Sequence, residues 1–155
     1  MTQLSDHFSL EEMTNSQTAK RQNIDNTPSD EVVAQLTNLC QDVLEPLRAK
    51  FGAISINSGY RSPALNKAVG GVANSQHVLG QAADTELMGT DNLDWAYMVK
   101  GSGIVYDQLI LEFYDPAIGG NNGWVHVSYV QGGPNRGEDL TINSHGTVRG
   151  LPPQR

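Results

Sequence analysis

Two segments rich in β-branched and aromatic residues, 105–113 (VYDQLILEF) and 124–130 (WVHVSYV), constrain the fold more than any other feature of the chain. Runs of this composition are typical of β-strands. The connection between them is rich in Gly and Asn and is long enough for a flexible hairpin loop, so we predict that the two strands pair. Two shorter segments, 53–57 (AISIN) and 82–87 (AADTEL), predict further strands.

Helical patterns lie between and before these strands. The word SLEE, which begins at Ser9, is a capping box and predicts a short helix. Thr27, followed by a proline, predicts the N-cap of a longer helix whose apolar residues recur at helical spacing. Pro46 lies inside that pattern and predicts a kink or a tightened last turn. A helix is also predicted over 91–100. Together these elements predict an α+β fold, with a small and mostly antiparallel sheet and helices packed on one side of it.

The length and charge of the chain set limits on its organisation and partners. At 155 residues the chain is long enough for one domain with a substantial core. The formal net charge is −7 and there is no basic stripe, which argues against a nucleic-acid partner. Residues 131–155 contain five Gly and three Pro and little apolar content. We therefore predict that residues 1–130 form the body of the domain and residues 131–155 an extended C-terminal tail.

The sequence also bears on cysteine chemistry and location. Cys40 is the single cysteine, so an intrachain disulfide and a Cys-based metal site are both excluded. Its apolar neighbours predict a buried and unreactive thiol on a helix. The N-terminal sequence MTQLSDHFSL lacks the basic and apolar regions of a signal peptide, and no stretch approaches the roughly 18 apolar residues of a membrane span. We expect synthesis in the cytoplasm, so that any action outside it requires another exit route.

Three residues are candidates for a metal site. His77 and Asp84 are seven positions apart, and His126 lies downstream in the predicted strand 124–130. Two imidazoles and one carboxylate supply three ligands and leave the fourth position of zinc open for water, which is typical of catalytic rather than structural zinc. Taken singly, these residues are equally compatible with a loop histidine, a turn aspartate and a core imidazole. Together they predict a zinc-dependent hydrolase with its cleft on the sheet.

Several words in the sequence carry a resemblance to a known family. They are HFSLEEMTNSQTA, the segment from IDNTPSDE to LEPLRAKFG, SGYRSPALNKAVGG, SQHVLGQAADTE, YDQLILEF and WVHVSY. In this order they resemble the M15 family of zinc peptidases, in particular the branch of D-Ala-D-Ala carboxypeptidases and phage cell-wall peptidases. The resemblance covers nearly the whole chain except residues 131–155, and it implies an M15-like zinc peptidase domain over 1–130.

The resemblance also implies roles for individual residues. It places zinc (Zn²⁺) on His77, Asp84 and His126, in agreement with the chemistry of these side chains. It places Arg61, in the word SGYRS, against the substrate carbonyl or its developing oxyanion, a role that suits an always-charged, forked guanidinium. The alternative for Arg61 is a surface arginine paired with Asp84 or Glu86.

The position of the general base is where this chain departs most from the pattern of the M15 family. Many M15 relatives carry an acid three residues before the second histidine, where this chain has Gly123. Relatives closer to this branch carry a Glu at the end of the preceding strand, which corresponds to Glu112. If strands 105–113 and 124–130 pair with Glu112 opposite His126, both side chains lie on one face. The rival is Asp107, which alternates to the other face.

The resulting expectation is a zinc metallopeptidase, either a carboxypeptidase or an endopeptidase, that cuts stem peptides or cross-links of bacterial peptidoglycan. The missing signal peptide favours a phage endolysin or another released enzyme that acts on the cell wall. The alternatives are a non-catalytic zinc-binding domain and a phage structural component with a vestigial cleft. His7 is expected to pack or cap locally, His145 to be solvated, and Trp124 to pack in its strand or line the cleft wall.

Overall fold

A computed structural model describes residues 2–118 and 122–154. Residues 119–121 of the predicted hairpin connection, and residues 1 and 155, lie outside the described part. The helices are α1 (Leu10–Thr14), α2 (Gln17–Gln22), α3 (Asp30–Leu39), α4 (Glu45–Phe51), α5 (Pro63–Ala68) and α6 (Asn92–Gly101). The strands are β1 (Ile54–Ser58), β2 (Ala82–Leu87), β3 (Gln108–Glu112), β4 (Trp124–Ser128), β5 (Glu138–Asn143) and β6 (Gly146–Arg149).

The helix starts follow side-chain caps. The hydroxyl of Ser9 accepts a hydrogen bond from the backbone N–H of Glu12, as the capping box predicts. The predicted N-cap at Thr27 is wrong by two residues, because α3 begins after Ser29, whose hydroxyl accepts from the N–H of Val32. The N–H of Thr27 instead bonds the Asp25 carboxylate, which holds this residue in a turn before the helix.

The long helical pattern does not continue as one regular helix. Residues Cys40–Leu44 form a π-helical turn between α3 and α4, and Pro46 follows in the first turn of α4. Proline lacks an N–H and clashes with the preceding turn of a regular helix, and the wider turn just before it relieves both constraints. Cys40 is fully buried in this segment, and burial raises the pKa of its thiol to about 12. The thiol is therefore protonated at neutral pH and unreactive, as predicted.

The sheet has the strand order β1-β2-β4-β3-β5-β6. The α+β class is as predicted, but the expectation of a mostly antiparallel sheet is wrong: the sheet is mixed, because β5 pairs with β3 in parallel. The physical reason is the connection after β4. Since β4 runs antiparallel to β3, it ends beside the start of β3, and the short connection of residues 129–137 starts β5 at that same end.

The C-terminal segment contributes to the sheet. The sequence analysis predicted no strand in residues 131–155, yet β5 and β6 form an antiparallel hairpin that extends the sheet beyond β3. The hydroxyl of Tyr97 donates to the carbonyl of Pro152 at 2.6 Å and fastens the end of the chain to α6. The assignment of residues 1–130 as the body and 131–155 as a tail of the same domain stays a prediction.

The two faces of the sheet have different environments. Leu109, Leu111, Val125 and Val127 belong to the buried core that includes residues of α1, α3, α4 and α6. Their strand neighbours alternate to the opposite face, where they can line a cleft. Within residues 2–118 and 122–154, no helix combines the length and apolar character needed to cross a bilayer.

Candidate metal centre

Three segments bring His77, Asp84 and His126 together. Asp84 on β2 is directly paired with His126 on β4, and His77 comes from the loop between α5 and β2. Nε2 of His77 lies 3.3 Å and Nδ1 of His126 lies 3.1 Å from the same carboxylate oxygen, Oδ1 of Asp84. All three side chains are buried, and their ligand atoms lie within 4.8 Å of one another. This group can hold one metal ion.

The ring of His77 is oriented by the backbone. Its Nδ1 lies 2.7 Å from the carbonyl oxygen of Gly59. A carbonyl only accepts, so Nδ1 carries the hydrogen, and Nε2 is the ring nitrogen that faces Asp84. Gly59 itself approaches the backbone of α1 so closely that a Cβ would come 2.3 Å from the carbonyl oxygen of Met13. Glycine at position 59 therefore permits the approach that places the anchor of His77.

The charge of Asp84 is retained in this buried site. Burial alone raises its pKa, but the adjacent His77 and His126 outweigh that effect and hold the pKa below the ordinary value of 3.8. An ionised carboxylate between two imidazoles matches the ligand preference of zinc for nitrogen and oxygen donors with an open fourth position. The residues present therefore fit the zinc that the chemistry of the sequence suggests, and their role as ligands stays a prediction.

Arg61 reaches the same site from the turn after β1. Its Nη2 lies 3.4 Å from Oδ2 of Asp84, and its Nε donates to the Ser58 hydroxyl at 3.3 Å. Nη1 donates to Oδ1 of Asn66 at 3.3 Å. The pairing with Asp84 was the alternative considered for a surface arginine, but this side chain is only 18% exposed and lines the cleft. The guanidinium is thus held beside the candidate metal ligands rather than in solvent.

Asn66 is a residue of the site that the sequence analysis missed. It is buried in α5, its Oδ1 accepts from Arg61, and its Nδ2 donates to the carbonyl of Val72 at 2.8 Å. Gly71 makes this arrangement possible, since a Cβ there would come 2.0 Å from Oδ1 of Asn66. The signal in the sequence was an asparagine on the short helix that leads into the Gly70-Gly71 pair.

Glu112 lies at the end of β3 on the cleft side. The predicted register, with Glu112 opposite His126, is wrong by two residues: Ile110 is opposite His126, and Glu112 is opposite Trp124. A shift of two residues preserves the face, so Glu112 and His126 still line one cavity. Nε1 of Trp124 donates to Oε2 of Glu112 at 2.7 Å. Burial, followed by the charge of Asp84, raises the pKa of Glu112, and His126 and Trp124 oppose that effect only in part.

Gly123 explains why an acid is absent three residues before His126. Its φ of +69° lies in the left-handed region, and a Cβ there would come 2.4 Å from the carbonyl oxygen of Glu112. A glutamate or aspartate at this position is therefore excluded by backbone geometry. The acid available to the cleft from the β3–β4 pair is Glu112 instead.

Asp107, the rival base, is fully engaged elsewhere. Arg136 donates to it three times, from the backbone N–H and from Nε to Oδ1, both at 2.9 Å, and from Nη2 to Oδ2 at 2.8 Å. Nε2 of Gln76 also donates to Oδ2 at 3.0 Å. The hydrogen bonds from Arg136, acting against burial, lower the pKa of Asp107 to about 2. Through these hydrogen bonds Asp107 connects the C-terminal segment to the loop of His77. A carboxylate with such a low pKa and with both oxygens hydrogen-bonded is a poor proton acceptor.

The two other histidines lie away from the cleft. Nδ1 of His7 is 2.7 Å from Oε1 of Glu45, and the backbone N–H of His7 donates to Oε2 of the same residue. His145 is exposed in the turn between β5 and β6. The solvated position of His145 is as expected, whereas His7 bonds a residue 38 positions along the chain and does not pack or cap locally. Trp124 lines the cleft wall and stacks at a tilt against Phe113, with 5.4 Å between ring centroids.

Comparison with known families identifies the fold that carries this site. A family model described as Peptidase M15 matches residues 6–128, a region that contains Arg61, Glu112 and the three candidate ligands. No curated protein matches the sequence. Because the matched region covers most of the chain, the protein belongs to the peptidase M15 family.

Proposed function

We propose that the protein is a zinc-dependent peptidase that hydrolyses a peptide bond in the stem peptides or cross-links of bacterial peptidoglycan. Membership of a peptidase family supports the reaction class. The observation that carries the zinc dependence is the buried group of His77, Asp84 and His126 at the wall of an open cleft. The peptidoglycan substrate rests on the resemblance of the sequence to cell-wall peptidases, and both D-Ala-D-Ala carboxypeptidase and endopeptidase activity fall within the proposal.

Zinc held by His77, Asp84 and His126 would polarise the scissile carbonyl and activate a water molecule for attack. The hydrogen bond from His77 to Gly59 fixes the tautomer that such binding requires. The backbone pairing of β2 with β4 holds Asp84 and His126 side by side before any metal arrives. The site is therefore preorganised, which limits the rearrangement needed on binding.

Glu112 acts as the general base in this proposal. It accepts a proton from the attacking water and donates it to the leaving amine when the carbon–nitrogen bond breaks. The direction of its pKa shift suits the first step, because a carboxylate whose pKa is raised is a stronger base than an ordinary glutamate, and the protonated form then carries the proton to the amine. The indole of Trp124 holds one carboxylate oxygen and leaves the other for the water.

Arg61 stabilises negative charge that develops on the carbonyl oxygen, or anchors the substrate. Its hydrogen bonds to Ser58 and Asn66 fix the guanidinium plane, so that little reorganisation is needed when charge develops. A guanidinium is charged at every working pH, which makes it a reliable electrostatic partner in a buried site.

The test is digestion of purified peptidoglycan with zinc-loaded protein, followed by mass spectrometry of the products, with and without a chelator. New peptide ends that appear only with zinc support the proposal. Bound zinc without any new products would indicate the non-catalytic alternative instead.

The net charge of −7 and the absence of a basic stripe support a peptide rather than a nucleic-acid partner. Action on the wall after release from the cytoplasm is part of the same proposal.

A further inference from the structure

The candidate metal centre lies between two cavities. The larger, about 670 Å³, is lined by His77, His126 and Glu112, and the smaller, about 340 Å³, by Asp84. Arg61, Val69 and Trp124 line both. Because they share these lining residues, the two cavities adjoin beside the candidate ligands. A site at the closed end of a single pocket would have only one such space.

The larger cavity extends across the sheet to the C-terminal hairpin. Ile110 on β3 is paired with Leu140 on β5, and Glu112 is paired with Ile142. Directly paired residues share a face, so Leu140 and Ile142 continue the floor of the cleft beyond Glu112, and both line the cavity. Thr147 on β6, which is paired with Ile142, extends the same floor by one more strand. These strands follow residue 128, where the family match ends.

The proposed chemistry assigns a direction to this floor. Glu112 returns its proton to the leaving amine, so the part of the substrate that follows the scissile bond must lie beside Glu112. From there the floor continues over Leu140 and Ile142. A cavity of about 670 Å³ falls in the range of about 300–1,000 Å³ that holds drug-sized ligands, which is more than a single terminal alanine requires.

The cation on this side is not free to hold a terminal carboxylate. Arg136 lines the cavity, but its Nε and Nη2 are bound to Asp107, and its Nη1 lies 3.7 Å from Oε1 of Glu138. A carboxypeptidase needs a positive partner for the carboxylate of the residue that it releases. The described arginines that line this cavity are Arg136, which two acids neutralise, and Arg61, which is bound to Asp84, Ser58 and Asn66 beside the candidate ligands.

We propose that the protein is an endopeptidase, and that the face of β5 formed by Leu140 and Ile142 is an apolar subsite for residues that follow the scissile bond. This inference rests on the proposed peptidase function. The substrate is then a peptide that passes over the metal centre, with one segment in each cavity. Its chain beyond the cut is recognised by apolar contact and not through a free terminal carboxylate.

The bond selectivity is tested with two synthetic stem peptides given to the zinc-loaded protein, with mass spectrometry of the products. One ends in a free carboxylate, and the other is extended by apolar residues and ends in an amide. Internal cleavage of the extended, amidated peptide supports the proposal. Release of the last residue from the free peptide, with the amidated peptide intact, would overturn it while leaving the peptidase function standing. If neither peptide nor purified peptidoglycan is cut, both proposals fail.

The subsite is tested by binding as well as by turnover. In a Glu112→Gln background, Leu140→Ser and Ile142→Ser should each weaken the binding of the uncut amidated peptide by about tenfold or more, as measured by calorimetry, because each removes a buried apolar contact. In the otherwise native enzyme the same changes should lower kcat/KM for that peptide by a similar factor. A peptide that ends one residue after the cut should be unaffected.

Val148→Ser is the matched control. Val148 neighbours Thr147 on β6 but points away from the cavity, and it is 63% exposed. It should bind and cut both peptides like the native protein. If Leu140→Ser and Ile142→Ser behave like Val148→Ser while all three variants remain folded, the hairpin does not contact the substrate and the subsite is wrong.

Discussion

At the scale of single residues, the candidate centre depends on the hydrogen bonds that orient each of its side chains. The Gly59 carbonyl fixes the His77 ring, Trp124 fixes Glu112, and Asn66 fixes Arg61. Such supporting contacts decide whether a side chain lies within the few tenths of an ångström that ligand binding and proton transfer require. Three predictions belong to this scale.

His77→Ala should abolish the binding of zinc at stoichiometric concentration, because two remaining ligands make a much weaker site. Metal analysis of the purified protein after dialysis measures this directly. His145→Ala removes an exposed histidine and is the matched control, which should retain one zinc per chain. Equal zinc content in the two variants would contradict the ligand assignment.

Glu112→Gln should keep its zinc and lose hydrolysis by roughly 10²–10⁴-fold, the usual contribution of a positioned base. Glutamine preserves the size of the side chain and can still accept from Trp124, but it cannot take up a proton. Asp107→Asn should affect turnover much less. A fully active Glu112→Gln together with an inactive Asp107→Asn would reverse the assignment of the base.

Arg61→Ala should leave zinc content and fold intact and lower kcat by about 10²–10³-fold, the typical loss for one oxyanion donor. Arg61→Lys should recover only part of the rate, because an ammonium cannot donate to Ser58, Asn66 and a substrate oxygen in the same plane. Steady-state kinetics on a stem peptide measures both. Native turnover in the alanine variant would show that Arg61 is only a structural partner of Asp84.

At the scale of elements, one carboxylate joins the segments that surround the cleft. Asp107, just before β3, receives hydrogen bonds from Gln76 in the loop of His77 and from Arg136 in the connection before β5. Its pKa of about 2, against an ordinary value of 3.8, means that the folded state favours the ionised form. The stability that this carboxylate contributes is therefore complete above about pH 4 and is lost as the pH falls toward 2.

Asp107→Asn should lower the free energy of unfolding at pH 7 by about 1–2 kcal/mol, a value reduced for the solvent around the half-exposed Arg136 side chain. The difference from the native protein should shrink between pH 4 and pH 2. Urea denaturation of the zinc-free protein across this range measures it. Asp6→Asn changes an exposed carboxylate and is the control. A destabilisation that does not change with pH would show that the ion pair is not its source.

At the scale of the whole molecule, the candidate ligands come from two regions of the chain, with His126 far from His77 and Asp84. His77 precedes β2, Asp84 lies on β2, and His126 lies on β4, beyond α6 and β3. An unfolded chain does not bring these three groups together, so metal binding and folding are coupled. The order of the strands is therefore as necessary for assembling the site as the candidate ligand side chains are.

Zinc should therefore raise the melting temperature of the native protein. At a free concentration one hundred times the Kd, binding to the folded state alone adds about 2.7 kcal/mol to the free energy of unfolding. Thermal melts with zinc and with a chelator measure the shift, and His77→Ala should show almost none. An equal shift in both proteins would mean that zinc binds elsewhere.

Features that short segments encode could be predicted from the residues alone. Ser9 and the residues after it specify a helix start, and the alternating strands 105–113 and 124–130 specify which side chains share a face. The pattern of His77, Asp84 and His126 indicated a metal site because two imidazoles and one carboxylate together suit zinc, and the structure brings these three side chains together. Local hydrogen bonding and periodicity carry this information, so no distant partner is needed to interpret it.

The pairing partners of the strands and side chains follow from the folded structure and could not be predicted from short segments. The folded structure pairs Glu112 with Trp124, two residues away from the predicted register, and it places β5 parallel to β3. It also brings Arg136 into its ion pair with Asp107. It also turned a Gly- and Pro-rich segment into a wall of the cleft. The physical reason is that register and strand order depend on contacts between residues far apart in sequence. The weakly apolar β5 becomes a strand because the edge of β3 offers it hydrogen bonds, and β6 in turn pairs with β5.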